Sequence, residues 1–431
     1  MIPFDVRGKR VLLLQGPMGP FFRRLADGLI AGGAAFVHKV NFNGGDRHYF
    51  PGGFDFTDRP EIFEAYLGSL LDRHRYHMVC LFGDCRSHHE AARRLCAERN
   101  VVVMAFEEGY LRPHFITVEP LGVNGHSTMP RDPEAYRPYG GNRMPHPAEK
   151  ARFHTKLWVW WQSFRYGLSM RLDRDRYPHY VHHRDLGLRE GLRWVAWEAE
   201  KFTRRSADRR VVAKFLSWVG DRYFVPLQLA SDYQVSHHSP YESIREFIAE
   251  VFHSFHRHAA PDAALLIKHH PLDPYEEYES FIAEEVERHG LQGRVMYCVN
   301  GHLPTILNNC TGVVAINSTV GISALLHRRP LCVRGNAIYD LEGLVARDLD
   351  AFMERPWTFV PDRRLFEGFR NYQLMTTQAA GNFYRALFKG TKTGLLWPEN
   401  ANFEKHFEKA AKKAQPGKLP GPVLPVEKQA A

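Results

Sequence analysis

Apolar positions near the start of the chain fall in short, almost continuous runs separated by stretches of helical spacing. Val11–Gln15, Phe36–Phe42, Met78–Phe82 and Val101–Phe106 read as strands, with helices predicted over Phe21–Ala31, Glu61–His74 and His89–Asn100. Strands apolar on both faces belong to a parallel sheet covered by helices on each side. The rhythm returns with strands Phe224–Gln228, Leu265–Lys268, Val295–Val299, Gly312–Asn317 and Leu331–Val333. Between them lie helices Tyr241–His258, Glu276–His289, Leu303–Asn309 and Thr319–His327. The predicted fold class is α/β: two Rossmann-like domains facing across a cleft, with a helical basic and aromatic insertion. The expected divisions are 1–150 for the first domain, 151–215 for the insertion and 216–362 for the second domain. Residues 363–400 are expected to form helices that cross back to the first domain, with Arg363–Phe388 a candidate helix. The Lys/Ala/Pro-rich stretch 401–431 is expected to be a disordered tail.

Composition narrows the class. A chain of 431 residues with 44% apolar and 24% charged residues is neither disordered nor fibrous. No apolar run reaches the roughly 18–20 residues of a membrane span. The start, MIPFDVRGKRVLLLQGPMGP, reads as a first strand and turn rather than a secretory leader, so a cytosolic fold is expected. Cys80, Cys85, Cys96, Cys298, Cys310 and Cys332 show no CxxC spacing and are expected to be buried thiols in a reducing compartment. The 24 histidines include the pairs His88–His89, His182–His183, His237–His238 and His269–His270. No HExxH pattern occurs, and no catalytic metal or other cofactor is expected.

Charge adds a location. Residues 151–215 carry fifteen Lys or Arg against seven Asp or Glu, a surplus of eight within a net charge of +9. They also hold Trp158, Trp160, Trp161, Trp194 and Trp197, five of the eight tryptophans. A basic, tryptophan-rich segment suits an anionic membrane surface or polymer, while aromatics packed on the first domain would give the same pattern. No nucleic-acid-binding motif accompanies the charge.

Candidate chemistry gathers at predicted strand ends. Gln15-Gly16-Pro17-Met18-Gly19-Pro20 opens a helix and lets a ligand approach backbone N–H groups; it is not GxGxxG, which disfavours a nicotinamide enzyme. Glu107 and Glu108, with Arg112 close behind, offer a base, a nucleophile or a stabiliser of positive charge. Side by side, the like charges are expected to push at least one pKa upward while the arginine opposes this. Lys268, His269 and His270 precede Pro271 and suit a phosphate leaving group. Asn317, Ser318 and Thr319 join a strand to a helix, where the hydroxyls cap that helix or bind phosphate and Gly321 permits close approach. Gln228 and Asp232 place polar groups after the first strand of the second half.

Together, QGPMGPFF, FEEGYLRPHFITVEPLGVN, FVPLQLASDYQ, KHHPLDP and INSTVGISALLHRRP resemble, in order and over about Val11–Val333, the KpsS/LipB family of capsular polysaccharide biosynthesis proteins of Gram-negative bacteria. The resemblance implies a GT-B glycosyltransferase that places the first β-Kdo from CMP-Kdo on phosphatidylglycerol or its lyso form. A partner Kdo transferase would then extend the linker. It implies retention of configuration, hence a double displacement. Related Kdo transferases carry Glu-Asp-Gly where this chain has Glu107-Glu108-Gly109, so Glu108 aligns with the nucleophile and Glu107 stands as alternative nucleophile or acceptor base. The resemblance further assigns His270 and Lys268 to the CMP phosphate and Asn317, Ser318 and Thr319 to phosphate or ribose. Gln228 and Asp232 would line the donor site, Gln15 and Gly16 would face the sugar, and Arg112 would meet its carboxylate. The implied location is peripheral, on the cytoplasmic face of the inner membrane, with Trp158, Trp160, Trp161 and Phe164 at the interface. Arg152, Lys156, Arg165, Arg171, Arg174 and Arg176 would meet lipid phosphates. Another CMP- or CDP-activated transferase, or a non-catalytic capsule-assembly scaffold, are the alternatives.

Overall fold

The computed structural model describes residues 4–144, 156–181, 188–230, 233–388, 391–397 and 405–406. The strands are β1 (Arg10–Leu13), β2 (Phe36–Asn41), β3 (Phe54–Asp55), β4 (Met78–Phe82), β5 (Val102–Glu108), β6 (Phe115–Pro120), β7 (Arg222–Pro226), β8 (Ala264–Lys268), β9 (Val295–Cys298), β10 (Gly312–Ala315), β11 (Leu331–Val333) and β12 (Gln378–Ala380). The described residues divide into two compact units. The first holds the chain up to Thr128, Arg143–Gly187 and the residues from Arg370 on; the second holds Met129–Asn142 and Leu188–Phe369.

In the first unit the sheet order is β12-β6-β5-β4-β1-β2-β3. β1 through β5 are parallel, whereas β6 runs antiparallel to β5 and β12 antiparallel to β6. Alternation along β1 sends successive side chains to opposite faces. Val11 and Leu13 pack with Phe21, Phe22 and Leu29 of helix Phe21–Ala31. Leu12 and Leu14 pack with Leu67 and Leu71 of helix Phe63–His74 and Leu95 of helix Ser87–Glu98. At ~1.5–3 kcal/mol for each large apolar side chain removed from water, these two layers hold the sheet between its helices.

In the second unit the order is β11-β10-β7-β8-β9, all parallel. Both units therefore use one permutation: first strand central, second and third to one side, fourth and fifth to the other. In such doubly wound sheets ligands bind beyond the strand carboxyl ends, where the order reverses.

Three features differ from the expectation. Phe115–Pro120 is a strand, and its pairing sets Glu107 opposite Thr117 and Glu108 opposite Ile116. The two glutamates thus end a strand rather than begin a loop. The helix from Arg363 stops at Thr376, where the Thr376 and Thr377 hydroxyls donate to the carbonyls of Tyr372 (2.7 Å) and Gln373 (3.4 Å). The chain then extends into β12. The described residues of the stretch 151–215 divide between the units: helix Lys156–Leu172 groups with the first and helix Leu188–Leu216 with the second. The stretch assigned to a tail lies, apart from residues 405 and 406, outside the described residues.

Candidate functional site

The first unit gathers its ionisable groups where β4 and β5 end. Glu107 and Glu108 are neighbours on a strand and point to opposite sides of the sheet. Glu107 lies on the side of the Gly83–Arg86 turn, and its Oε1 accepts the Glu108 N–H at 2.9 Å. Burial pushes its carboxyl up to about 7; the Glu108 N–H opposes this and the Glu108 charge adds a smaller rise. Burial also raises Glu108, against the pull of the Arg112 guanidinium. Desolvation, rather than the side-by-side charge expected from the sequence, is therefore the main cause. A carboxyl near neutrality suits proton transfer, and one whose burial an exposed arginine partly offsets suits attack. Within the same motif Tyr110 is structural: its ring is buried and its hydroxyl accepts the Asn124 N–H at 2.6 Å.

Behind Glu107 stand groups that the sequence motifs did not single out. Arg86 lowers the Glu107 pKa and donates to Gln15 Oε1 at 2.8 Å. Buried Asp84 accepts the Val123 N–H at 3.0 Å and lies 3.1 Å from His126 Nδ1. His126 and Arg93 hold its carboxyl below the usual range despite burial. The signal that locates them is Phe82-Gly83-Asp84-Cys85-Arg86 at a strand end, with Gly83 turning the chain at φ +69°. Gln15 is buried, and its Nε2 donates to the Tyr180 hydroxyl at 2.6 Å, so its amide is held within the unit. Gly16, also buried, lines a small hollow with Gly19, Phe22, Lys39, Asp46 and Tyr166. Buried Lys39 and Asp46 face each other across 3.6 Å at its wall.

In the second unit the predicted residues sort into two kinds. Gln228 and Asn317 bracket the ends of β7 and β10: Gln228 Oε1 accepts the Asn317 N–H at 3.1 Å and Gln228 Nε2 donates to Asn317 Oδ1 at 2.9 Å. Ser318 Oγ accepts the Val320 N–H at 3.2 Å, whereas the Thr319 hydroxyl caps no helix N–H. A Cβ on Gly321 would overlap the Tyr339 hydroxyl, so this glycine admits the tyrosine and not, as the sequence suggested, a ligand. His269 is buried, its Nε2 donating to the Asp273 carbonyl at 2.7 Å and its Nδ1 accepting from the Tyr297 hydroxyl at 2.8 Å. Burial holds its pKa below the ordinary histidine value. It is a neutral strut. Lys268 and His270, on either side of it, are half-buried. Lys268 Nζ donates to the His269 carbonyl at 3.1 Å, and His270 Nδ1 accepts the Leu272 N–H at 3.2 Å. Asp232 lies outside the described residues.

The aromatic-basic segment also divides. Trp197 is buried against His269, and its indole N–H donates to the Pro271 carbonyl at 3.2 Å. Asp208, on the same helix, accepts from Asn300 N and Nδ2 at 2.8 and 2.7 Å. Helix Leu188–Leu216 therefore braces the turns after β8 and β9. Trp158, Trp160, Trp161 and Phe164 are instead exposed. Arg152 lies outside the described residues, as does the His182–His183 pair.

Two Rossmann-like units in one chain, each with polar side chains collected at the carboxyl ends of its strands, define the class: an α/β protein built from two doubly wound units. The capsule polysaccharide biosynthesis protein family matches residues 77–384, and the chain belongs to that family. It is 38% identical over 388 residues to the capsule polysaccharide export protein KpsS of Escherichia coli, covering 88% of this chain and 97% of that protein. It is 35% identical over 396 residues to the capsule polysaccharide modification protein LipB of Neisseria meningitidis serogroup A, covering 88% and 93%. Among solved structures, Thermosulfurimonas dismutans KpsC, a beta Kdo 2,7 transferase, is 16% identical with a TM-score of 0.44, covering 94% of this chain and all of that one.

Proposed function

We propose that this protein is a retaining glycosyltransferase that moves the first β-Kdo from CMP-Kdo to a phosphatidylglycerol-type lipid, starting the linker of a capsular polysaccharide. The observation that carries the reading is the pair of carboxyls ending β5: Glu107 raised to about 7 and Glu108 beside Arg112. Glu108 attacks the anomeric carbon of Kdo, the bond to the phosphate oxygen breaks, and CMP leaves with the electron pair. The lipid hydroxyl then attacks the glycosyl ester from the same face as the departed CMP and passes its proton to Glu107, releasing Glu108 as a carboxylate. Two inversions give net retention. Arg112 engages the Kdo carboxylate, and Lys268 with His270 neutralises the departing phosphate. Asn317, aligned by Gln228, holds the ribose or phosphate together with Ser318 and Thr319. Asp232 lines the donor site. A partner Kdo transferase extends the product.

Support comes from family membership and from the clustering of these groups at strand carboxyl ends. The test is to incubate the purified protein with CMP-Kdo and lysophosphatidylglycerol and weigh the lipid. One added Kdo, blocked by CMP and not by UDP or CDP-glycerol, is expected. A lipid of unchanged mass would overturn the reading.

A further inference from the structure

Helix Lys156–Leu172 has one face fixed and one face exposed. On the fixed face Gln162 and Tyr166 are buried. The Tyr166 hydroxyl accepts from Asn43 Nδ2 at 2.8 Å and donates to Asp46 Oδ1 at 3.2 Å. Gln162 Nε2 donates to the Tyr384 carbonyl at 3.3 Å. Two glycines permit this approach: a Cβ on Gly44 would overlap the Ser169 carbonyl, and one on Gly45 would lie 2.7 Å from the Tyr166 ring. The helix is a built part of the first unit, not a loosely attached flap.

Its other face is apolar. Leu157, Trp160, Trp161, Phe164, Leu168 and Leu172 follow the three-and-four spacing of one helical stripe, and each is between 46% and 81% exposed. An exposed apolar stripe along four turns of a helix marks an interaction surface. Charge decides the kind of partner. The helix contains Lys156, Arg165 and Arg171 and no acidic residue, and Arg174 follows it. Arg171 and Arg174 are exposed and make no ion pair among the described residues, while nearby Asp173 is held by Arg47 at 3.3 Å. Asp175 is the opposing exposed carboxylate close by. Arg385 lies over the Trp158 ring, 5.2 Å from its centroid, adding another cation beside the stripe. Among the described residues no helix is long and apolar enough to cross a membrane. Tryptophan-rich apolar stripes flanked mainly by cations lie in the plane of an anionic bilayer, rings at the headgroup level and guanidinium groups on phosphates.

We infer that this face docks the protein on an anionic phospholipid surface, parallel to the bilayer plane. The inference deepens the proposed function by bringing the enzyme to a lipid acceptor, and its test separates the two. The intact protein is sedimented with vesicles of phosphatidylcholine alone or mixed with phosphatidylglycerol. Binding at least tenfold tighter to the anionic vesicles, weakened by added salt, is expected. Arg171→Glu/Arg174→Glu should lower that binding more than tenfold, at about fivefold for each cation lost and more for reversal. Trp160→Ser/Trp161→Ser/Phe164→Ser should abolish it. Both variants should keep wild-type turnover on monomeric lysophosphatidylglycerol and lose it on acceptor embedded in vesicles. A Phe164→Cys protein carrying an environment-sensitive dye provides a readout without removing the stripe: its emission should shift blue on anionic vesicles. Unchanged vesicle binding in the variants, no dye shift, or sedimentation as a dimer that does not bind vesicles would overturn the docking. Loss of turnover on monomeric acceptor with docking intact would instead strike the transferase reading.

Discussion

Replacing Glu107 by glutamine should make the protein more stable, by an amount that grows above about pH 4.5 and is complete above about 7. The amide keeps an oxygen for the Glu108 N–H, a bond of 2.9 Å in the native protein, and removes a charge from a part-buried site. Glu107 ionises at about 7 in the fold against a usual value of 4.5. That difference makes its charged form about 3 kcal/mol more costly in the folded than in the unfolded chain. Residual solvent contact at the carboxyl reduces the expected gain to ~2–3 kcal/mol. The sign follows from the raised value. Stability tied to protonated Glu107 is complete below about 4.5, falls through the interval up to about 7, and is lost above it. Urea unfolding of wild-type and Glu107→Gln proteins near pH 8 should show the variant more stable by that amount. Near pH 4.5 the two should coincide, because glutamine resembles the protonated acid. Equal stability at both pH values, or a less stable variant near pH 8, would refute the claim that burial governs this carboxyl.

Gln228→Leu removes both bonds to Asn317 and strands a backbone N–H; a loss of ~2–3 kcal/mol in the second unit and a weakened CMP affinity are expected, read by urea unfolding and titration calorimetry. Gly321→Ala drives a methyl into the Tyr339 hydroxyl and should cost ~1–3 kcal/mol by the same unfolding assay, where an unchanged midpoint would show that the tyrosine moves freely. All six cysteines are buried and none is in a disulfide among the described residues, with Cys96, Cys298 and Cys310 pushed up to about 12 by desolvation. A thiol reagent at neutral pH should therefore label none of them in the native protein within minutes and all six in denaturant.

Elements bounded by turn residues and filled with apolar side chains were legible in the sequence to the residue. Helix Phe21–Ala31, strand β4, helix Leu303–Asn309 and strand β11 are examples. β6 was not, because Thr117 and Glu119 interrupt its apolar run and both are fully buried. Thr117 is satisfied by Gln378, more than 260 positions away, at 3.0 Å, which no local pattern reveals. Its signal was the β-branched run Ile116-Thr117-Val118 after a proline. The acidic pair was legible as residues but not as geometry: strand alternation, visible once β5 is seen to include both, separates the carboxyls to opposite faces. The histidine pair at β8 follows the same logic. Alternation turns His269 inward among Trp197, Tyr278 and Tyr297. Arg86 was hidden among 57 basic residues, and only its place after β4 sets it beside Glu107.

The central claim is that Glu108 forms a covalent bond to the transferred sugar. Intact-protein mass spectrometry after mixing with CMP-Kdo, lipid omitted, measures this directly. A mass increase of one Kdo, mapped to the peptide holding Glu108, absent in Glu108→Gln and discharged by lysophosphatidylglycerol, is predicted. An unmodified wild-type protein that nonetheless converts acceptor, or a Glu108→Gln protein with full turnover, would contradict it.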